Sequence, residues 1–279
     1  MDKVYIIGNG YIGDFISNKF KDRYHFVGVC RSKKNNCLTN ISIDISKDKD
    51  ELHNLIDLNG IIIYLAAPKA EGLTDTTLNI FLNSIEKSNV RKIIYVSTSG
   101  VYGDKKDAIV NEKSKLEPLT DRAKRRVDAE NQIKNSSIKY TILRVPGIYG
   151  SNRLPMQRIN ARLPLIKREI CKHTNLIHAK DLSSIIENCI SNKKTDNVIL
   201  NVSDGTPIKT TDYYLKIYDV LKLKYPEFID YAEANETYDE KRKSFINESR
   251  ILDVSLMNIV MPNIIKYKDV IKGIEDSLK

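Results

Sequence analysis

The chain has 279 residues, 41% hydrophobic and 29% charged, with a net charge of +9; that is enough for a sizeable core, and no apolar run approaches the roughly 20 residues of a membrane-spanning helix. Cys30, Cys37, Cys171 and Cys189 have no C-x-x-C spacing, and His25, His53, His173 and His178 form no paired motif, which argues against a disulfide framework and predicts no metal site. The basic clusters at 31–34, 122–126, 153–168 and 241–243 are not interleaved with aromatics, so anionic small molecules are expected as partners, with no nucleic acid and no membrane.

The first element is the run 3–15, KVYIIGNGYIGDF. A β-prone stretch, Val4 to Ile7, enters Gly8, Gly10 and Gly13 at the spacing G-x-G-x-x-G, and a helical pattern follows through Phe20. This is the strand, turn and helix N-terminus of a dinucleotide site. Gly8 serves the turn, Gly10 lets backbone approach a pyrophosphate, and Gly13 lets helix and strand pack closely; Tyr11 and Ile12 complete the cradle. A strand starting at Val4 leaves no room for a secretory leader, so a cytoplasmic protein is expected.

Tyr24 to Cys30 reads as the second strand. It is followed by Arg31, Ser32 and Lys33 rather than by an acid, and this predicts NADP over NAD, with Arg31 the sharper candidate and the lysines open to a solvated-loop reading. Ile41 to Ile45 alternates like a third strand. Asp44, with Ile45, would meet the adenine, or Asp44 would cap the amphipathic segment that reaches Leu52 to Leu58. Gly60 to Leu65 is a continuous apolar strand, buried on both faces of a parallel sheet. Ala66, Ala67 and Pro68 end it with small residues that admit a cofactor or simply pack.

Thr74 to Ser88 fits a helix, Val90 to Val96 a strand, Thr120 to Lys134 a helix and Tyr140 to Val145 a strand. The alternation predicts an α/β fold with a doubly wound parallel sheet over 1–150, completed by about 175–205 through a helix, Asp181 to Ile190, and a strand, Val198 to Val202. Residues 151–174 and 206–279 would form a smaller, mostly helical region that caps the strands' carboxyl edge and binds substrate.

Several segments coincide in order and spacing: Gly8 to Gly13, Asp44-Ile45, Ala66-Ala67-Pro68, YVSTSGVYG at 95–103, LRVPGIYG at 143–150 and NLIHAKDL at 175–182. With them the chain resembles the extended and atypical short-chain dehydrogenase/reductase superfamily, its NAD(P)-dependent epimerase/dehydratase branch, and within that the small bacterial YeeZ-type subgroup. The resemblance implies a Rossmann fold and hydride exchange with a nicotinamide, along which Pro146 and Gly147 would lie. It places Thr98 on the reacting substrate oxygen and Ser99, Arg153 and Asn175 near the substrate; a solvated loop is the other reading of Arg153. His178 and Asp181 would position the chain.

The superfamily's Y-x-x-x-K pair is missing. Aligned on Ala129-Glu130, Arg122 stands at the Tyr position and Arg126 at the Lys position, and no tyrosine occurs between Gly103 and Lys139. A guanidinium stays charged near neutrality and cannot shuttle a proton, but it can hold an anion or stabilise an oxyanion. Three readings stand: Arg122 polarises the substrate while Tyr102 or water supplies the proton, only hydride moves, or nothing is catalysed. The basic run could also be an exposed helix start, and Tyr102 could simply pack under the sheet edge. The expected function is an NADP-dependent oxidoreductase, or a redox epimerase or dehydratase, acting on an anionic or sugar-nucleotide-like small molecule as a monomer or homodimer. The alternative is a non-catalytic NAD(P)-binding scaffold or redox sensor.

Overall fold

The apolar runs assemble into one seven-stranded parallel sheet in a computed structural model that describes residues 1–31, 39–47, 60–86, 89–239, 242–243 and 246–279. Its strands are β1 (Lys3–Ile7), β2 (His25–Cys30), β3 (Thr39–Ser42), β4 (Ile61–Tyr64), β5 (Lys92–Thr98), β6 (Tyr140–Val145) and β7 (Val198–Asn201). Their spatial order is β3-β2-β1-β4-β5-β6-β7. Val4 pairs with Phe26 on one side and Ile61 on the other. The chain therefore leaves β1 in one direction and returns for β4 in the other, and the crevice at this reversal is where open α/β sheets bind ligands.

Side chains alternate along each strand, so the sheet carries two apolar faces. Val4, Ile6, Ile61, Ile63, Ile94 and Leu143 face one way, under α1 (Tyr11–Phe20) and α4 (Ala179–Ser191). Tyr5, Ile7, Ile62, Tyr64, Ile93, Tyr95 and Ile142 face the other, under α2 (Thr76–Ile85) and α3 (Asp121–Asn135). Both helices on the second face start on a side-chain cap: Asp75 accepts from Leu78 N–H at 3.0 Å, and Thr120 Oγ1 from Ala123 N–H at 3.2 Å. Each cap satisfies one of the N–H groups a helix start leaves over.

One expectation needs correction. The third strand is Thr39–Ser42 rather than Ile41 to Ile45, although Ile43 and Ile45 remain buried beyond its end. The region after 206 carries short strands as well as its helices. Besides α5 (Thr210–Val220) and α6 (Val270–Ser277), two-residue strands stitch it to earlier chain: Ile208–Lys209 to His173–Thr174, Phe228–Ile229 to Leu165–Ile166, and Ile251–Leu252 to Ile109–Val110. The segment Leu52 to Leu58, with Ser32 and Lys33, lies outside the described residues. Among the described residues no helix is long and apolar enough to cross a membrane.

Candidate functional site

The glycine turn joins β1 to α1 at the crevice. Gly8 has φ of +80°, and a Cβ there would come within 2.6 Å of the Ala66 backbone. Only glycine permits both the left-handed backbone and this approach of β1 to the end of β4. A Cβ on Gly13 would fall 2.2 Å from Asn9 Oδ1 in the turn and 3.0 Å from Ile6 Cγ2 on β1, so the absence of a side chain at Gly13 lets helix and strand pack closely. Gly10 differs. The nearest atom to a Cβ there is Gly8 O at 3.7 Å, and no side chain caps the helix it begins. The start of α1 is thus uncapped by any side chain and lines the cleft, an arrangement that fits a pyrophosphate.

This turn forms part of a cleft of about 690 Å³. Of the residues expected from sequence, Gly8, Gly10, Tyr11, Ile12, Thr98, Ser99, Arg122, Arg126, Pro146, Gly147, Arg153 and Asn175 line it together. Gly13 lies behind the turn. Ala66, Ala67 and Pro68 give way to Leu65 as the lining residue after β4, and the small size of Ala66 is accounted for by its contact with Gly8. Arg31 is exposed at the end of β2, and its carbonyl accepts from Ser42 Oγ at 3.0 Å. Asp44 turns its carboxylate onto Ser46, accepting from N–H at 3.0 Å and from Oγ at 2.7 Å. Those bonds hold it below the usual carboxylate range, while Ile45 belongs to the core.

Thr98 ends β5. Its Oγ1 accepts from Gly100 N–H at 3.2 Å, which occupies one acceptor position of the hydroxyl and leaves its proton to donate. Arg122 and Arg126 lie one turn apart on α3 and share a face. Arg126 donates to Tyr95 Oη at 2.8 Å and to Val96 O at 3.2 Å. The basic run is not simply a solvated helix start: Arg125 is buried and donates to Gly72 O at 2.6 Å, pinning the loop before α2.

Tyr102 does not line the cleft. It is fully buried, its hydroxyl donates to Asn201 Oδ1 at 2.7 Å and accepts from Arg144 at 2.9 Å, and burial raises its pKa. It belongs to a network that sequence reasoning missed. Arg144 pairs with Glu130 at 2.7 Å, both out of solvent, and Ser97 Oγ donates to Glu130 at 2.6 Å. The network ties β5, α3, β6 and β7 together directly below Thr98. Arg144 stands inside the LRVPGIYG segment and Glu130 inside the pair used to align α3, so the signal was present without an assigned role.

Asn175 lines the cleft, but its amide is engaged by the chain: Nδ2 donates to Arg250 O at 2.8 Å, and Oδ1 accepts from Leu252 N–H at 3.0 Å. Arg250 in turn donates to Ser99 O at 2.7 Å and to Glu248 at 2.7 Å. Asn175 therefore holds the 248–252 segment beside Thr98 rather than presenting a free amide. Arg153 lies over the ring of Tyr11, its guanidinium carbon 4.8 Å from the centroid. Burial raises Tyr11, and the Arg153 charge partly offsets it. His178 caps α4 through Lys180 N–H at 3.2 Å, and Asp181 accepts from the backbone of Lys266 and Tyr267 at 3.1 and 2.8 Å. Both position chain, as expected. Lys172, which the sequence reading had not singled out, and Arg242, from the basic cluster at 241–243, add cleft cations.

A family model described as NAD(P)H-binding matches residues 8–174. The chain belongs to this family. No curated protein matches it by sequence. Among solved structures, a conserved protein of unknown function from Silicibacter pomeroyi is 20% identical, with a TM-score of 0.81 over 100% of this chain and 98% of that one. UDP-N-acetylglucosamine 4-epimerase from Methanobrevibacter ruminantium M1, in complex with UDP-N-acetylmuramic acid, is 16% identical, with a TM-score of 0.80 over 99% and 97% of the two chains. UDP-glucuronic acid 4-epimerase from Bacillus cereus, in complex with UDP-glucuronic acid and NAD, is 19% identical, with a TM-score of 0.79 over 99% and 97%. The chain thus shares the fold of these epimerases, and the family it belongs to is described by NAD(P)H binding.

Proposed function

We propose that the protein is an NADP-dependent oxidoreductase, or a redox epimerase or dehydratase, acting on an anionic, sugar-like small molecule through an arginine-based site. One observation carries the reading. Among the described residues the cleft presents Arg122, Arg126, Arg153, Lys172, Arg242 and Arg250 against a single carboxylate, Glu248, which Arg250 already holds. A cleft of one sign, walled by protein, concentrates anions. The epimerases of similar fold, whose complexes contain UDP-sugar acids, agree with a nucleotide-sugar substrate.

In this reading the turn at Gly8 to Ile12 holds the pyrophosphate, Arg31 meets the 2′-phosphate, and Pro146 with Gly147 lies along the nicotinamide, which supplies hydride exchange when bound. Thr98 donates to the reacting oxygen. Arg122 stabilises negative charge developing there and moves no proton. Arg126, bonded to Tyr95 and Val96, stiffens the strand end beneath them. With Tyr102 sealed in the core, water is the one that remains of the two proton sources named above.

The sealing of Tyr102, together with arginine at both helix positions, favours a second reading: a binding scaffold or redox sensor that holds the dinucleotide without turnover. NADPH fluorescence during incubation with a panel of carbonyl compounds and nucleotide sugars separates the two. Oxidation that disappears in Thr98→Val supports the enzyme; tight binding with no turnover across the panel supports the sensor. The NADP preference is tested by Arg31→Ala, which should weaken NADPH more than NADH, and equal weakening refutes the role of Arg31.

A further inference from the structure

The loop after the LRVPGIYG segment is laid directly on the glycine turn. Gly150 adopts φ of +154°, and a Cβ there would meet Tyr11 Oη at 2.7 Å. The Tyr11 hydroxyl donates to Ser151 O at 2.8 Å, and three residues after Gly150 the Arg153 guanidinium covers the Tyr11 ring. Tyr11 is the first residue of α1, whose leading N–H groups have no side-chain cap. Arg153 and the turn residues Gly8, Gly10, Tyr11 and Ile12 line the same cleft.

Stacking on an aromatic face holds a guanidinium while leaving its N–H groups, which lie in its plane, free to donate. Other cleft cations are already committed: Arg126 to Tyr95 and Val96, Arg250 to Ser99 and Glu248, Lys172 to Asn247 O at 2.6 Å. Among the described residues, no protein acceptor takes a hydrogen bond from the Arg153 guanidinium; its contact is the Tyr11 ring. A planar fork held in this way beside uncapped N–H groups matches the paired oxygens of a phosphate.

We propose that Arg153 is a cofactor residue, closing over the pyrophosphate of the bound dinucleotide from the far side of the backbone cradle, rather than a substrate residue. The assignment rests on membership of the NAD(P)H-binding family and not on the proposed reaction. Because NADH and NADPH share the pyrophosphate, Arg153 sets the affinity for both, whereas Arg31 would set their ratio.

The test is titration of NADH and of NADPH, followed by their fluorescence, which is free of tryptophan overlap because the chain has no Trp. Arg153→Met should weaken both by the same factor, about tenfold or more, as expected for loss of a charge-assisted contact. Arg153→Lys should recover part of the loss, since it restores charge without the fork. The loss should shrink between about 50 and 200 mM salt, where such contacts are screened. Arg153→Met with wild-type affinity for both dinucleotides, and an unchanged melting temperature, would overturn the assignment and return Arg153 to the substrate or the solvent. A wild-type chain that binds neither dinucleotide would overturn it together with the cofactor of the family.

Discussion

Arg126 and Tyr95 meet at 2.8 Å, guanidinium to phenol oxygen, joining α3 to β5 beside the cleft. Tyr95 is wholly buried, and burial pushes it up to about 12, the nearby guanidinium only partly opposing this. The phenol therefore remains a neutral acceptor near neutrality. The Arg126 guanidinium is thus held by the sheet, through Tyr95 Oη and Val96 O, at the wall of the cleft.

That pairing is measurable. Tyr95→Phe and Arg126→Met should each destabilise the chain, and a double-mutant cycle should show a coupling of about 1.5–3 kcal/mol, the worth of a hydrogen bond to a charged group. Urea midpoints of the four proteins give the value, and strict additivity would show that the contact has no energetic content.

The Arg144–Glu130 pair should behave as a fully buried ion pair. Arg144→Met alone leaves the Glu130 carboxylate unpaired and out of solvent, at a cost of about 3–5 kcal/mol. Adding Glu130→Leu should recover much of that loss, because apolar replacement of both partners removes the stranded charge. A double variant no more stable than Arg144→Met alone would be inconsistent with this origin.

Stability should depend on pH through two buried groups of opposite sense. Burial raises Asp204 to about 6 and lowers His178 to about 4. Between pH 4 and 6 the folded chain keeps a proton on Asp204 that the unfolded chain releases, so this contribution falls as pH rises. Over pH 4 to 6.5 the unfolded chain holds a proton on His178 that the folded chain lacks, so this contribution grows as pH rises. Asp204→Asn should therefore gain on wild type as pH climbs from 4 to 6, and His178→Asn should lose on it up to 6.5. Urea midpoints at pH 4.5, 5.5 and 6.5 would read these differences, and flat difference curves would contradict both.

Two glycines of one motif should fail in different ways. Gly8→Ala places a methyl against the Ala66 backbone at a left-handed φ, and should cost more than about 2 kcal/mol of stability. Gly10→Ala meets no atom closer than 3.7 Å. It should fold with a melting temperature near wild type yet bind NADPH poorly, because the methyl occupies the space the pyrophosphate needs. Matched losses of stability in the two variants would show that Gly10 is a packing residue.

Much of this was legible in the chain before any coordinates. Strands buried on both faces must be apolar throughout, and a phosphate turn can be built only from glycines at a fixed spacing, so 3–15, 60–65 and 140–145 declared the sheet and the dinucleotide site by themselves. The family resemblance, carried by short segments in order and spacing, singled out Thr98, Arg122 and Arg126, which line one cleft. Other assignments waited for the tertiary structure. Whether a polar side chain faces a cleft or another buried group depends on residues far away in sequence: Asn201 and Arg144 took Tyr102 into the core, and Arg250 and Leu252 used up the amide of Asn175. The same long-range packing set the loop at 150–153 on Tyr11, and that contact is the ground for the cofactor role proposed for Arg153. Sequence determined that a dinucleotide site exists, because its requirements are local; the fold decided which charges were left to serve it, because hydrogen-bond partners are chosen in three dimensions.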